Sequence, residues 1–278
     1  MGTSQQDQVD GTWKMSVGQR EASLLALEKA IRKHGGSPFR IFENFRANPV
    51  YTDRIAELMV HGGYLPTEDQ KRVRAILPKG HFFGVDDWRV YFTGQVDFTE
   101  TQLAEVPKLP WSEDELRNPG VKQPEFVFLV PFAINGEPVT LETLNRAFPL
   151  PGKTNPRLDL TNVEGEIFTK TPVPFGWHSV IYEGLEGSEK QKHKKLPDGY
   201  INPKASTVAL AEMLFYLLNG KYANPIWWLK TMKTKNFLNS LYRVCVKAPS
   251  LPHINGVKIQ GWLERGEGFR IAVERKID

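Results

Sequence analysis

Cys245 is the only cysteine of this 278-residue chain, and it stands in an alternating run, Arg243-Val244-Cys245-Val246-Lys247. A period of two puts its thiol on the same strand face as two cations, and positive charge beside a thiol lowers its pKa and makes it reactive. A plainer reading competes, because an unbridged cysteine in a strand usually packs as a small hydrophobe. His178 follows Trp177 in an aromatic run and can meet Glu212, which interrupts an apolar stretch, as an acid–base pair. Buried polar groups equally find such partners for structural reasons. Residues 147–154 end in Gly152-Lys153-Thr154, the close of a phosphate-binding loop. Pro149 and Pro151 remove two N–H donors that a phosphate cradle needs, and Asn155-Pro156 opposes the helix that should follow. The six histidines, His34, His61, His81, His178, His193 and His253, show no His-Glu-x-x-His spacing. His34 and His61 fall at expected helix ends, where an imidazolium complements the dipole. No Gly-x-Ser-x-Gly elbow and no Gly-x-Gly-x-x-Gly fingerprint occurs. The sequence thus points to no catalytic residue, no metal and no cofactor.

Charge is more informative. Between Glu212 and Glu264 there is no acidic residue, while Lys221, Lys230, Lys233, Lys235, Arg243, Lys247 and Lys258 all fall there, interleaved with Tyr222, Trp227, Trp228, Phe237 and Tyr242. Cations beside exposed rings are what a single-stranded nucleic acid site uses, neutralising phosphates while bases stack. The candidate binding residues are therefore Trp227, Trp228, Lys230, Lys233, Lys235 and Arg243. The bland alternative is a Trp pair in the core and lysines on a solvated face. Asp97, Glu100, Glu105, Glu113, Asp114 and Glu115 against Lys108 make the opposite polarity. A chain segregated in this way can associate with itself or dock on a protein partner of complementary charge.

These residues need elements to hold them. Residues 21–34 place Leu24, Leu25, Leu27, Ala30 and Ile31 on one helical face, and Gly35-Gly36 supplies the stop. Residues 50–61 make a second helix, and Thr67, with Gln70 three positions on, caps a third that Pro78 closes. Residues 85–92 and the capping box at Ser112 give two short helices. Residues 125–134 read as a strand turned by Asn135-Gly136, and Thr140 caps a helix ending near Phe148. Pro172 and Pro174 break up residues 159–182, which favours edge strands or an irregular sheet. Residues 183–198 read as a loop. A buried helix at 206–218 ends on Asn219-Gly220, and runs at 241–247, 257–263 and 269–275 suggest an antiparallel meander. The expected fold class is α+β, with a mainly helical part at 1–118 and a β-rich part at 119–278 able to share one core.

With 40% hydrophobic and 24% charged residues, disorder is not the default. One cysteine allows no intrachain disulfide, which suits a reducing, cytoplasmic setting. Residues 1–20 lack the continuous apolar core of a signal peptide. The most apolar stretch, 208–218, is shorter than the ~18 residues a bilayer requires. No membrane association is expected.

Several short pieces stand in an order that resembles a family of uncharacterised bacterial proteins. They are Phe82-Phe83-Gly84 with Trp88, Pro110-Trp111-Ser112-Glu113-Asp114-Glu115-Leu116, and Asn135-Gly136-Glu137-Pro138-Val139-Thr140 with Leu144. Phe168-Thr169-Lys170-Thr171 with Trp177, Leu196-Pro197-Asp198-Gly199-Tyr200 and Gly261-Trp262 continue the series. The resemblance implies a bacterial or phage origin, and no activity or site residue. The functional expectation is a non-catalytic interaction or assembly protein. The alternatives are nucleic-acid binding through residues 221–247 and an enzyme whose site is not local in sequence.

Overall fold

The computed structural model describes residues 8–9, 12–13 and 16–277 except 62, 97, 120, 122–123, 151–155, 182–183, 185, 187, 189–195, 224–227, 236–240, 248–256 and 263–268. Residues 8–9, 12–13, 228–230, 232–235, 241–245, 247, 260–262 and 269–271 are described in backbone alone. The chain forms two compact units, 1–59 and 60–278.

In the first unit, β1 (Gln8–Val9) and β2 (Thr12–Trp13) pair antiparallel. Three helices follow, α1 (Val17–Lys33), α2 (Pro38–Ala47) and α3 (Pro49–Val60), the last ending at the boundary. Local chemistry sets their ends. The Ser16 hydroxyl accepts from the Gln19 amide at 3.2 Å while the Gln19 side chain accepts from the Ser16 amide at 2.8 Å, satisfying two donors that a helix start leaves orphaned. Gly35 takes the left-handed turn beyond α1. Ser37 and Pro38 then start α2, a helix over residues to which the sequence pattern assigned no element. Neither α1 nor α3 contains a buried residue, and α2 contains only Pro38.

The second unit is built on two five-stranded sheets. Its helices are α4 (Glu68–Ile76), α5 (Val85–Tyr91), α6 (Glu100–Glu105), α7 (Glu113–Arg117), α8 (Leu141–Ala147) and α9 (Ala205–Asn219). The first sheet has the order β3 (Phe82–Phe83), β4 (Phe126–Val130), β8 (Gly176–Ile181), β14 (Val273–Arg275), β9 (Tyr200–Ile201). The second runs β13 (Phe269–Ile271), β10 (Trp228–Lys235), β11 (Leu241–Lys247), β12 (Val257–Trp262), β7 (Leu158–Asp159). A small hairpin, β5 (Ala133–Ile134) and β6 (Glu137–Pro138), turns on Asn135 and Gly136, both at positive φ. That is the backbone an Asn-Gly hairpin turn requires.

Residues 205–215 of α9 are all buried, as expected of a helix whose apolar residues are spread around its whole circumference. It touches β4 of one sheet and β10, β11 and β12 of the other, and Gly220 ends it in the left-handed conformation. The α+β class stands. The hydrophobic core is continuous across residue 118, because Val73, Trp88 and Leu116 belong to the same cluster as Phe126, Leu129 and Leu210.

Two local expectations are corrected. Residues 176–181 form a central strand, paired with β4 and β14, and this is permitted because both prolines precede it and no ladder donor is lost. The run at 269–275 divides at Ala272. Its first half pairs parallel with β10, and its second half crosses to pair with β8 and β9. The antiparallel meander is therefore β10–β11–β12. The crossing delivers Glu274 and Arg275 to their buried partners, His178 and Glu125.

Candidate functional site

Strand alternation sorts the ionisable residues of the first sheet onto its two faces. Ser179 and Arg275 lie on one face with Glu125, while His178 and Glu274 lie on the other beside Phe126 and Phe128. On the first face, Arg275 grips Glu125 with Nε at 3.1 Å and a terminal nitrogen at 2.6 Å. The Ser179 hydroxyl donates to the same carboxylate at 2.7 Å, and the Tyr200 hydroxyl donates to it as well. Arg275 also reaches the Glu115 carbonyl at 3.0 Å and stacks over the Tyr200 ring. Burial, then the Glu125 charge, push the Tyr200 hydroxyl well above its ordinary pKa. Although burial opposes its charge, the bonds to Glu125 hold Arg275 firmly protonated. All four side chains are buried. This cluster clamps β14 and α7 to the sheet.

On the other face, His178 Nδ1 lies 2.5 Å from Glu274 and Nε2 lies 3.0 Å from the Pro174 carbonyl. A carbonyl only accepts, so Nε2 donates to Pro174 while Nδ1 faces the carboxylate. The ring stacks on Phe128 at 5.6 Å. With both nitrogens committed and both residues buried, the pair is structural. The pairing of His178 with Glu212 that the sequence allowed is not formed. Glu212 instead accepts from the Ala223 amide at 3.1 Å, tying down the chain just beyond α9.

A third ionic cluster opens to solvent. Arg74 of α4 donates to both oxygens of Asp86 at 2.8 and 2.9 Å and to Asp87 at 2.8 Å. His61 Nδ1 sits 2.6 Å from Asp86, so this imidazole has a carboxylate partner beyond the helix-end role expected of it. The Gly84 amide donates to Asp87 at 2.8 Å, and Arg74 lies 4.9 Å over the Phe82 ring. Burial and then the neighbouring Asp86 charge raise Asp87 to about 6, against the opposing pull of Arg74. Arg74 and Asp87 line a cleft of about 470 Å³ with Lys79, Leu77, Phe82 and Leu218. None of this was legible in sequence, because Arg74, Asp86 and Asp87 carry no motif spacing.

A larger cleft of about 740 Å³ lies over α8 and β7, lined by Glu142, Arg146, Arg157, Asp159, Glu164 and Thr169 among others. Its groups are mostly engaged. Glu142 accepts from the Thr169 hydroxyl at 2.9 Å, Asp159 accepts from the Thr161 amide and hydroxyl, and Arg146 pairs with Glu137. Among the described residues, no group of three His, Cys, Asp or Glu side chains could hold a metal ion, and no helix is long and apolar enough to cross a membrane.

Apart from Trp227, the sequence-derived binding residues fall on the second sheet. Trp227 lies outside the described residues, and Trp228, Lys230, Lys233, Lys235 and Arg243 are described in backbone alone. Register sets Lys233 opposite Arg243, Lys230 opposite Cys245, and Lys247 opposite Lys258. Arg243 and Lys247 therefore meet cations or neutral residues across the strands. The Gly152-Lys153-Thr154 segment also lies outside the described residues.

The helical unit supplies the remaining candidate, an apolar surface. On α1, Val17, Leu24 and Leu25 are 69%, 49% and 57% exposed. Phe39, Val50 and Met59 are exposed on the following helices. Leu27 and Ile31 are half-buried. Turning α1 antiparallel against a copy of itself about Leu24 sets Val17 opposite Ile31 and Arg20 opposite Glu28. No family model, no curated protein and no solved structure matches the chain.

Proposed function

We propose that this chain is a non-catalytic assembly protein that self-associates through α1, with residues 60–278 as the folded body it carries. The observation that supports this reading is the unburied apolar stripe of α1. A helix of 17 residues with no buried side chain gains little from packing, and amphipathic helices in proteins depend on packing for most of their stability. Exposed apolar surface of this kind marks interaction sites. The occupant argued for is a second copy, because a two-fold axis through Leu24 makes the stripe self-complementary in shape and charge. Arg20 of one helix then meets Glu28 of the other at both ends of the contact.

Size-exclusion chromatography with light scattering, from 1 to 100 µM, tests this on the full chain. The expected result is a concentration-dependent dimer that Leu24→Glu abolishes while the circular dichroism of the body is unchanged. Arg20→Glu should weaken the dimer, and Arg20→Glu with Glu28→Arg should restore it. A monomer throughout the range, or a dimer indifferent to Leu24→Glu, overturns the reading.

A second reading, nucleic-acid binding by the basic strands, is favoured by one observation. Lys233 faces Arg243 and Lys247 faces Lys258 across adjacent strands. Like charges directly opposite destabilise a sheet, and a polyanion relieves that repulsion. Binding of labelled oligo-dT followed against salt tests it. Lys233→Gln with Arg243→Gln should flatten the salt slope by roughly 1 to 2. Absent or salt-independent binding removes this alternative.

A further inference from the structure

The cleft beside Arg74 and the charges that line it go beyond an assembly role. Arg74 has five N–H donors. Three contacts, two to Asp86 and one to Asp87, engage its two terminal nitrogens. Its Nε–H and one terminal N–H have no partner among the described residues. Lys79, exposed on the same wall, has no carboxylate within ion-pair distance among the described residues. The remaining wall is apolar, formed by Leu77, Pro78, Phe82 and Leu218. Two cations and an apolar lining around one cleft of about 470 Å³ fit a small organic acid with an anionic head and a short apolar body.

Asp87 is the group in the way. It competes for Arg74 from the cleft side, whereas Asp86, almost wholly buried, holds Arg74 from behind and is itself held by His61. With both aspartates ionised, Arg74 and Lys79 are balanced, and an incoming anion meets no net positive charge. Protonating Asp87 leaves the cluster one charge more positive and loosens its hold on the guanidinium. We infer that this cleft binds a small organic anion together with a proton, the proton residing on Asp87. The raised Asp87 pKa, due to burial and then to Asp86, puts this uptake in an accessible pH range. The charged or titratable groups facing Asp87 are Arg74 from α4, Asp86 and Tyr91 on its own helix, His61 beyond α3, and Lys79 in the turn after α4. The wall from α9 contributes only Leu218.

Isothermal titration of the full chain with benzenesulfonate, which keeps one negative charge at every pH used, tests the inference. Affinity should be at least tenfold higher at pH 5.0 than at pH 7.5. Near pH 6.5, paired buffers of different ionisation enthalpy should report net proton uptake. Asp87→Asn should bind with nearly the same affinity at both pH values, and Lys79→Gln should weaken binding several-fold at each. Methanesulfonate should bind several-fold more weakly than benzenesulfonate. Equal wild-type affinity at the two pH values, or no proton uptake, overturns the inference without recourse to any variant. Retention of the pH dependence in folded Asp87→Asn overturns the assignment to Asp87. Failure of α1 to self-associate would leave every one of these results unaffected.

Discussion

The two units of this chain solve the problem of stability in opposite ways. Residues 60–278 wrap two sheets around a helix whose first eleven residues are all buried, and they bury ion pairs on both faces of the first sheet. Residues 1–59 close their helix ends with well-formed caps yet bury almost nothing along α1 and α3. Caps decide where a helix begins and contribute about 1 kcal/mol each; burial decides whether it persists. The comparison teaches that the first unit is locally specified and globally incomplete, while the second is complete in itself.

The largest expected effect breaks the second unit. Arg275→Met leaves the buried Glu125 charge without its cation, and chemical denaturation of residues 60–278 should show a loss of about 3–5 kcal/mol. A loss below about 1 kcal/mol would mean that Ser179 and Tyr200 suffice to hold the carboxylate. Next in size is Leu210→Ala, which empties a fully buried position on α9 and should cost about 2–5 kcal/mol in the same measurement.

The contrast then sharpens with pH. Asp87 is raised from its ordinary value near 4 to about 6, so between these values the folded chain binds more protons than the unfolded one. Its contribution to stability is therefore present in full below about pH 4 and is lost as pH rises through 6. Asp87→Asn should lose ground to wild type at pH 4 and regain on the order of 1–2 kcal/mol by pH 7. Denaturation midpoints at the two pH values check the sign. The smallest effect is expected on α1, where Leu24→Ala should change the unfolding free energy of the monomer by no more than about 0.5 kcal/mol. A loss of several kcal/mol would show that α1 is already packed in the monomer.

What could be read from the sequence follows the same division. The stop of α1, the ends of α4 and α8 and the start of α7 were legible because Ser, Thr, Gly and Gln act on neighbours a few positions away, whereas the Ser16 cap that starts α1 at Val17 was not read. The Asn135-Gly136 turn and the mostly apolar α9 were legible from equally local patterns. The split at Ala272 was not, because it depends on what Glu274 and Arg275 meet. Their partners, His178 and Glu125, lie 96 and 150 residues away. The same distance in sequence hid the true partner of His178, and no local spacing marks Arg74, Asp86 and Asp87 as a cluster. The basic run at 221–247 was visible as composition; the cross-strand pairing of its cations became visible only with the register of β10, β11 and β12.

On the reading proposed above, α1 is an association surface rather than a packed element of the monomer. Hydrogen–deuterium exchange of the full chain at 1 and 100 µM tests it most directly. Amides of residues 17–33 should exchange fast at the lower concentration and slow by tenfold or more at the higher one, while α9 stays equally protected at both. Exchange in α1 that is independent of concentration, whether fast or slow, would contradict it.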